Sequence, residues 1–350
     1  MIISRTPYRI SFFGGGTDYP VWFQEHGGAV LATTIDKYCY LTCRCLPPFF
    51  EHKSRVVYSR VESVDANDQI EHPAVRGVLR YLKIEEGLEI HHDGDLPART
   101  GLGSSSSFTV GLLHALYGLK GRMPSKKELA RDAIHVEQEV LKEHVGSQDQ
   151  ILAAFGGFNR IDFPTDHRFQ VSPVIVNDGQ RARLQEHLML FFTGFSRTAS
   201  EIAGEQIQAT PKKTQELRAM RQMVDEAIRI LQEPDDLEAF GRLLHEGWQV
   251  KRSLTRQIST PQIDALYEAA RGAGAIGGKL LGAGGGGFLL LYVRPEEQDR
   301  VKEALRGVLH VPFRFETGGS RIIFYEPEER PEGSSRTRTV SLVSGGALVR

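Results

Sequence analysis

From Ile2 to Phe13 the chain mixes β-branched and aromatic residues at strand-like spacing, and it does so again over Gly28 to Leu46 and briefly over Arg55 to Val61. Leu88 to His92 gives a fourth strand signal. The period then changes. The apolar, proline-free stretch Ser106 to Leu119 predicts a buried helix. Ser125, followed three positions on by Glu128, opens a long amphipathic stretch with a capping box. Asp149 to Phe155 continues helically and stops at Gly156-Gly157. FNRIDF, HRFQVSPVIV and HLMLFFTGF read as strands, and Ser200 to about Gln257 is rich in helix with breaks at Pro211 and Pro234. STPQIDALYEAARGAGA predicts a helix with Pro near its start and Gly at its end; strand FLLLYV, helix PEEQDRVKEALRGV and a last strand in VPFRFETGGSRIIFYE follow. This alternation predicts an α+β fold with a mainly antiparallel sheet. The loop VNDGQRAR marks a boundary, giving an N-terminal domain over 1–180 and a C-terminal one over 181–328, and the Ser-, Gly- and Arg-rich 329–350 is expected to be a mobile tail.

A chain of 350 residues has room for two domains, and its formal net charge of −1 gives no general footprint for nucleic acid or an anionic membrane. The start MIISRTPYRI lacks the apolar core of a signal peptide, and nowhere is there an apolar run of membrane-spanning length. The expectation is a cytoplasmic protein, monomer or homodimer, with neither nucleic-acid nor membrane partners. Cys39, Cys43 and Cys45 fall on one face of a strand, at spacings that fit no zinc finger, so they read as small buried residues. His91 and His92 are adjacent on a strand and point to opposite faces, which excludes a shared metal.

Three glycine-rich segments carry the chemistry: PYRISFFGGGTDYP, LPARTGLGSSSSF and KLLGAGGGGFLLLYV. No G-x-x-x-x-G-K-[ST] occurs, and the third segment follows a predicted helix and precedes a strand, the wrong order for a dinucleotide fingerprint. The second segment runs into an apolar helix, so its backbone amides collect at a helix start, where phosphate binds. Pro97, Gly101, Leu102, Gly103 and Ser104 to Ser107 form that candidate phosphate loop; a linker capped by serine is the plainer alternative.

In this order and spacing the three segments resemble the motifs of the GHMP kinases, over about residues 1 to 326. Within that superfamily PYRISFFGGGTDYP, FTGFSRTAS and GGKLLGAGGGGF are most similar to the D-glycero-D-manno-heptose 7-phosphate kinases, and fucokinase-type enzymes share parts of the pattern. The resemblance implies a ribosomal S5 domain 2-like N-terminal domain, a ferredoxin-like C-terminal domain, and ATP and Mg²⁺ as cofactors. It implies phosphorylation of the anomeric hydroxyl of a heptose 7-phosphate, a step toward nucleotide-activated heptose. Another sugar 1-kinase, or a catalytically silent sugar- and ATP-binding sensor, are the alternatives.

The resemblance also implies residue roles. Asp149, in the Gly-x-x-Asp-Gln pattern, matches the catalytic aspartate, and Arg9 a basic residue near the transferred phosphoryl group. Glu137, twelve residues before Asp149, matches the carboxylate that binds Mg²⁺, with Glu139 and Glu143 as rivals and Ser105 as the first choice of hydroxyl partner among Ser104 to Ser106. Asp18 falls where galactokinases bind sugar hydroxyls, with Thr17 beside it; galactokinases carry Glu-His where this chain has Gly15 and Gly16, which leaves room for a larger sugar. Arg197, ahead of Lys251 and Arg252, is the candidate for a substrate phosphate. Gly284 and Gly285 are expected to let the third segment approach substrate, with Lys279 adding charge nearby.

Overall fold

The structure, a computed structural model, describes residues 1–47, 49–98, 100–166, 168–194, 199–233 and 236–326, without the side chains of 199–201. The tail 329–350 and Arg197 therefore lie outside the described residues.

Strand β1 (Ile2–Phe13) is the spine of the larger sheet, buried continuously from Thr6 to Phe13. The short helix α1 (Pro20–His26), which opens on Pro20, turns the chain into β2 (Gly28–Cys45), antiparallel to β1. In the second half of β2 Cys39, Leu41 and Cys43 are buried and the residues between them are not, as period-two alternation requires. None of the three cysteines is in a disulfide. The single run expected at 55–61 is a hairpin, β3 (Ser54–Val57) and β4 (Val61–Val64), closed by Tyr58 N donating to Arg60 O. Helix α2 (Pro73–Leu82) follows, then β5 (Leu88–Gly94), which pairs antiparallel with β2 and parallel with β3.

Helix α3 (Ser104–Leu119) packs on β1 and β2. α4 (Lys126–His135) starts as its sequence predicts, with Ser125 Oγ accepting from Glu128 N at 3.2 Å. It ends in a π-helical turn, Val136–Val140, before α5 (Gln148–Phe155). Strands β6 (Phe158–Phe163) and β7 (Gln170–Pro173) extend the first sheet beside β2. The segment expected as a linker is mostly α6 (Asp178–Glu186), because Asn177 Oδ1 caps it by accepting from Gln180 N at 2.8 Å.

The second sheet holds β8 (Leu188–Phe192), reached before α7 (Ala199–Ala209), α8 (Thr214–Gln232), α9 (Glu238–Arg252) and α10 (Pro261–Gly272). Next come β9 (Ala275–Leu280), β10 (Phe288–Val293), α11 (Gln298–Ala304) and β11 (Leu309–His310). The order is β11-β8-β10-β9, and α9 lies on β9. The chain then returns: β12 (Phe315–Glu316) pairs with β2 and β13 (Arg321–Tyr325) with β1. These strands therefore belong to the first sheet, although the expected division put them with residues 181–328. Two sheets, each packed with helices, are present, and one apolar core runs through both.

The return is locked by Ser320, whose N donates to Ala153 O at 2.8 Å and whose Oγ lies 2.9 Å from both Thr6 Oγ1 and His114 Nδ1. Gly156, at φ 66°, lies against the same segment, and a Cβ there would stand 1.9 Å from the Gly318 carbonyl carbon. Gly156→Ala should therefore lower unfolding stability by about 2–4 kcal/mol, read from urea midpoints at unchanged slope. A loss under about 0.5 kcal/mol would show that the contact gives way freely.

Candidate active site

Arg9 leaves β1 in the middle of its buried run and makes the central contact of the site. Its Nε and Nη2 each donate to one Asp149 oxygen at 2.7 Å, and its Nη1 donates to the Gly101 carbonyl at 2.6 Å. Its backbone N donates to Leu102 O at 3.0 Å. One residue thus joins β1, the loop before α3, and the first turn of α5. Gly103, in the left-handed region at φ 74°, is the residue before α3. A Cβ on it would sit 3.2 Å from Arg9 Cγ and 3.3 Å from Asp149 Oδ2, so glycine lets the loop lie against the ion pair.

A cavity opens beside this pair. It is lined by Gly101, Gly103 and Ser104 to Ser106 on the loop side, and by Ser11, Gly15, Gly16, Asp18 and Tyr19 opposite, with Gln148, Lys251, Gly282 and Ala283 also facing it. The amides of the first turn of α3 have no intrahelical partner, so this wall is suited to an oligophosphate. The rest of the loop has other work. Leu102 is fully buried, Ser107 Oγ donates to Pro7 O at 2.9 Å, and Pro97 O accepts from Thr100 Oγ1 at 2.9 Å. None of the three lines the cavity; they anchor the loop.

Asp18 is buried, with Oδ1 accepting from Gly16 N at 2.9 Å and Oδ2 from Gln148 N at 3.3 Å. Burial pushes its carboxyl above the ordinary range, and the charge of Asp149 adds to that. Thr17, expected to meet substrate, instead turns inward: its Oγ1 donates to Gly14 O at 2.8 Å and contacts Ala29 O at 3.0 Å. Gly15 lines the cavity, and a Cβ there would fit in ordinary contact, 3.5 Å from Gln148 Nε2 and Ser11 Oγ, so no close approach requires glycine at this position. Gly16 differs. At φ 105° it holds a backbone form that disfavours side chains, and a Cβ would come within 2.6 Å of Gln206 Nε2.

Glu137 is carried by the π-helical turn, a distortion that often marks functional positions. Its Oε2 accepts from Ser106 Oγ at 2.8 Å and from Gln150 Nε2, while its Oε1 is buried without a partner. Burial raises its carboxyl to about 7. Of its rivals, Glu139 is an exposed partner of Lys142 at 3.0 Å. Ser105 is exposed at the cavity wall, and Ser106, not Ser105, reaches Glu137. Among the described residues no cluster of three His, Cys, Asp or Glu side chains could hold a metal. An orphaned carboxylate oxygen beside a hydroxyl instead fits a hard cation that takes most of its ligands from water and phosphate, as Mg²⁺ does.

The two lysines of the cleft differ. Lys279 Nζ donates to Ser11 O at 2.9 Å and Phe12 O at 2.8 Å, pinning β9 to β1, and burial drives its ammonium far below the ordinary range. Lys251 Nζ donates to Gly282 O and faces the cavity. Arg252 turns away to Asp264 at 2.8 Å. The third segment is a hairpin loop, because β9 and not a helix precedes it. Gly282 and Ala283 line the cavity, whereas Gly285 N donates to Ile258 O at 3.0 Å and Gly284 packs on Ile258, so neither of these meets it. Neither glutamine beside Asp149 in SQDQ, Gln148 or Gln150, was given a role from sequence, and Ser106 stood there behind Ser105 as the partner of Glu137.

No described helix is long and apolar enough to cross a membrane. Residues 71–157 match the family described as GHMP kinases N terminal domain, and residues 217–310 match GHMP kinases C terminal. A D-glycero-alpha-D-manno-heptose 7-phosphate kinase of Campylobacter jejuni is 28% identical over 87% of this chain and 93% of its own. A galactokinase of Roseiflexus is also 28% identical, over 88% of each chain. Among solved structures, that of a D-glycero-D-manno-heptose 1-phosphate kinase from Bacteriodes thetaiotaomicron superposes with a TM-score of 0.77 at 25% identity, covering 93% of this chain and all of the other. With a loop-and-helix phosphate wall beside an Arg–Asp pair, and both units matched, the chain belongs to the GHMP kinases, a family of phosphotransferases.

Proposed function

We propose that this kinase transfers the γ-phosphoryl group of ATP to the anomeric hydroxyl of D-glycero-D-manno-heptose 7-phosphate, giving the 1,7-bisphosphate and ADP. The observation that carries the reading is one cavity holding both the α3 amide wall and the Arg9–Asp149 pair, with buried Asp18 opposite. Phosphoryl transfer needs positioning and charge neutralisation more than covalent chemistry, and these groups provide both. Relatives that act on heptose phosphates support the sugar, as does a cavity wall that carries no side chain at Gly15.

In this reading the amides and hydroxyls of Gly101 to Ser106 hold the ATP phosphates. Asp18 accepts hydrogen bonds from sugar hydroxyls and orients the ring. Asp149 takes the proton of the attacking hydroxyl late in the transfer, since a carboxylate is far less basic than an alkoxide. The Arg9 fork holds both Asp149 oxygens in place while leaving each a further lone pair for the substrate. Glu137 and Ser106 would hold Mg²⁺, which when bound neutralises phosphate charge. Arg197, beyond the strand β8, is proposed to meet the 7-phosphate.

Asp149→Asn should keep ATP binding, measured by calorimetry, and lower kcat by about 100- to 10,000-fold. Transfer at the wild-type rate would remove Asp149 from the role of base. In a coupled ADP-release screen, kcat/KM for the heptose 7-phosphate should exceed that for free heptose, fucose and galactose by about 100-fold, and equal values would reject the substrate assignment.

Glu137 gives a test that does not need turnover. Its folded-state carboxyl titrates near 7, above the ordinary range, so its contribution to stability is present at low pH and lost as pH rises through that value. In chelator, the stability of wild type relative to Glu137→Gln should therefore fall by about 2–3 kcal/mol between pH 5 and pH 8. Mg²⁺ added to the ATP complex should raise the melting temperature of wild type further and leave that of the variant nearly unmoved. Parallel pH curves for the two proteins would contradict the assignment.

A further inference from the structure

One buried cation of the cleft has no part in the scheme above. Lys251, in the last turn of α9, is only 7% exposed, yet its ammonium makes no ion pair among the described residues. Its hydrogen-bond partner there is the Gly282 carbonyl, so two of its three donors stay available. Lys279 shows what a structural lysine does in the same place: it is directed into β1 and held by two backbone carbonyls. A buried ammonium with so little satisfaction is costly, and such groups are retained where a ligand completes them.

Position says which ligand. Gly282 lies directly on the phosphate loop, since a Cβ on it would be 2.4 Å from Gly101 Cα. Gly101 O in turn accepts from Arg9 Nη1 at 2.6 Å, and Arg9 holds Asp149. Contacts therefore run from Lys251 through Gly282 and Gly101 to the Arg9–Asp149 pair. The ammonium faces a cavity bounded by Ser104 to Ser106 on one side and Asp18 on the other, which is where a phosphoryl group would pass from loop to acceptor. The far phosphate of a seven-carbon sugar would lie several bonds from that point.

Resting on the kinase reading, we propose that Lys251 is a catalytic residue that contacts the phosphoryl group during transfer. The acceptor oxygen forms the new bond to phosphorus, the bond to the ADP oxygen breaks, and the acceptor proton passes to Asp149. Lys251 keeps its protons and donates hydrogen bonds to the phosphoryl oxygens as their bonding to the two flanking oxygens changes.

The groups facing it set a pH signature. Arg9 from β1 and Lys279 from β9 oppose its charge, and Asp18 and Asp149 favour it. Burial foremost, then Arg9, brings its ammonium down to about 8 in the free enzyme. The cation is therefore present below that pH and lost above it.

The test uses the full chain with ATP and D-glycero-D-manno-heptose 7-phosphate, comparing wild type, Lys251→Met and Lys251→Arg, with melting curves to establish folding. Lys251→Met should lower kcat by about 100-fold or more with the sugar KM within about threefold, and Lys251→Arg should recover at least about tenfold. Wild-type kcat/KM should fall above pH 8, and in Lys251→Arg that fall should vanish because arginine stays charged. Retained kcat with a KM for the 7-phosphate raised about tenfold, and no change for free heptose, would place Lys251 on the substrate's phosphate and overturn the proposal. Unchanged kinetics would overturn it too. If wild type releases no ADP with any sugar, the kinase reading itself fails and takes this assignment with it.

Discussion

The guanidinium of Arg9 holds three segments of chain that are far apart in sequence. It engages both oxygens of Asp149 and the carbonyl of Gly101, while its own backbone N–H takes the carbonyl of Leu102. A planar fork with fixed donors can do this; an ammonium could satisfy one contact well and the others poorly. Much of the site follows from it. Gly103 must lack a side chain because the loop lies on the ion pair, and Gly101 presses on Leu281 and Gly282 from the second unit. The cleft is thus closed by contact between two glycine-rich loops, each held in place by a different sheet.

The cleft gathers more buried charge than stability alone would favour. Arg9, Lys251 and Lys279 stand against Asp18, Asp149 and Glu137. Burial raises the carboxyls of Asp18 and Glu137 and lowers both lysines, so four of these six groups resist the charge they would carry in water. Only Arg9 and Asp149 are matched as a bidentate pair. The others are satisfied in part, by amides, by one or two carbonyls or by a hydroxyl, and Glu137 keeps one oxygen with no partner. That pattern suits a site completed by an anionic nucleotide and a cation.

Local chemistry made several elements legible. The strands β1 and β2, the capping of α4 by Ser125 and the helix after the serine loop follow from alternation, a capping box and an apolar run. Asp149 and Arg9 could be named by motif, and they meet. What escaped depended on distant neighbours. β9 was hidden in a glycine run because Gly277 lies against the Gly241 carbonyl of α9, where a Cβ would come within 1.9 Å, so the strand lacks the side chains that announce one. The return of β13 to β1 joins residues more than three hundred positions apart and leaves no local signal. Choosing between Ser105 and Ser106 needed the rotational phase of α3 against the π-helical turn, which composition does not carry.

In the proposed reaction one cavity brings the ATP phosphates to the anomeric hydroxyl of a heptose 7-phosphate beside Asp149. Phosphorus NMR of the enzyme with Mg²⁺, ATP and D-glycero-D-manno-heptose 7-phosphate tests it most directly, since it shows where the phosphoryl group goes. ADP and a second sugar phosphate signal coupled to the anomeric proton are expected, in equal amounts. ADP with inorganic phosphate and no new sugar phosphate, or a phosphate on another carbon, would contradict it.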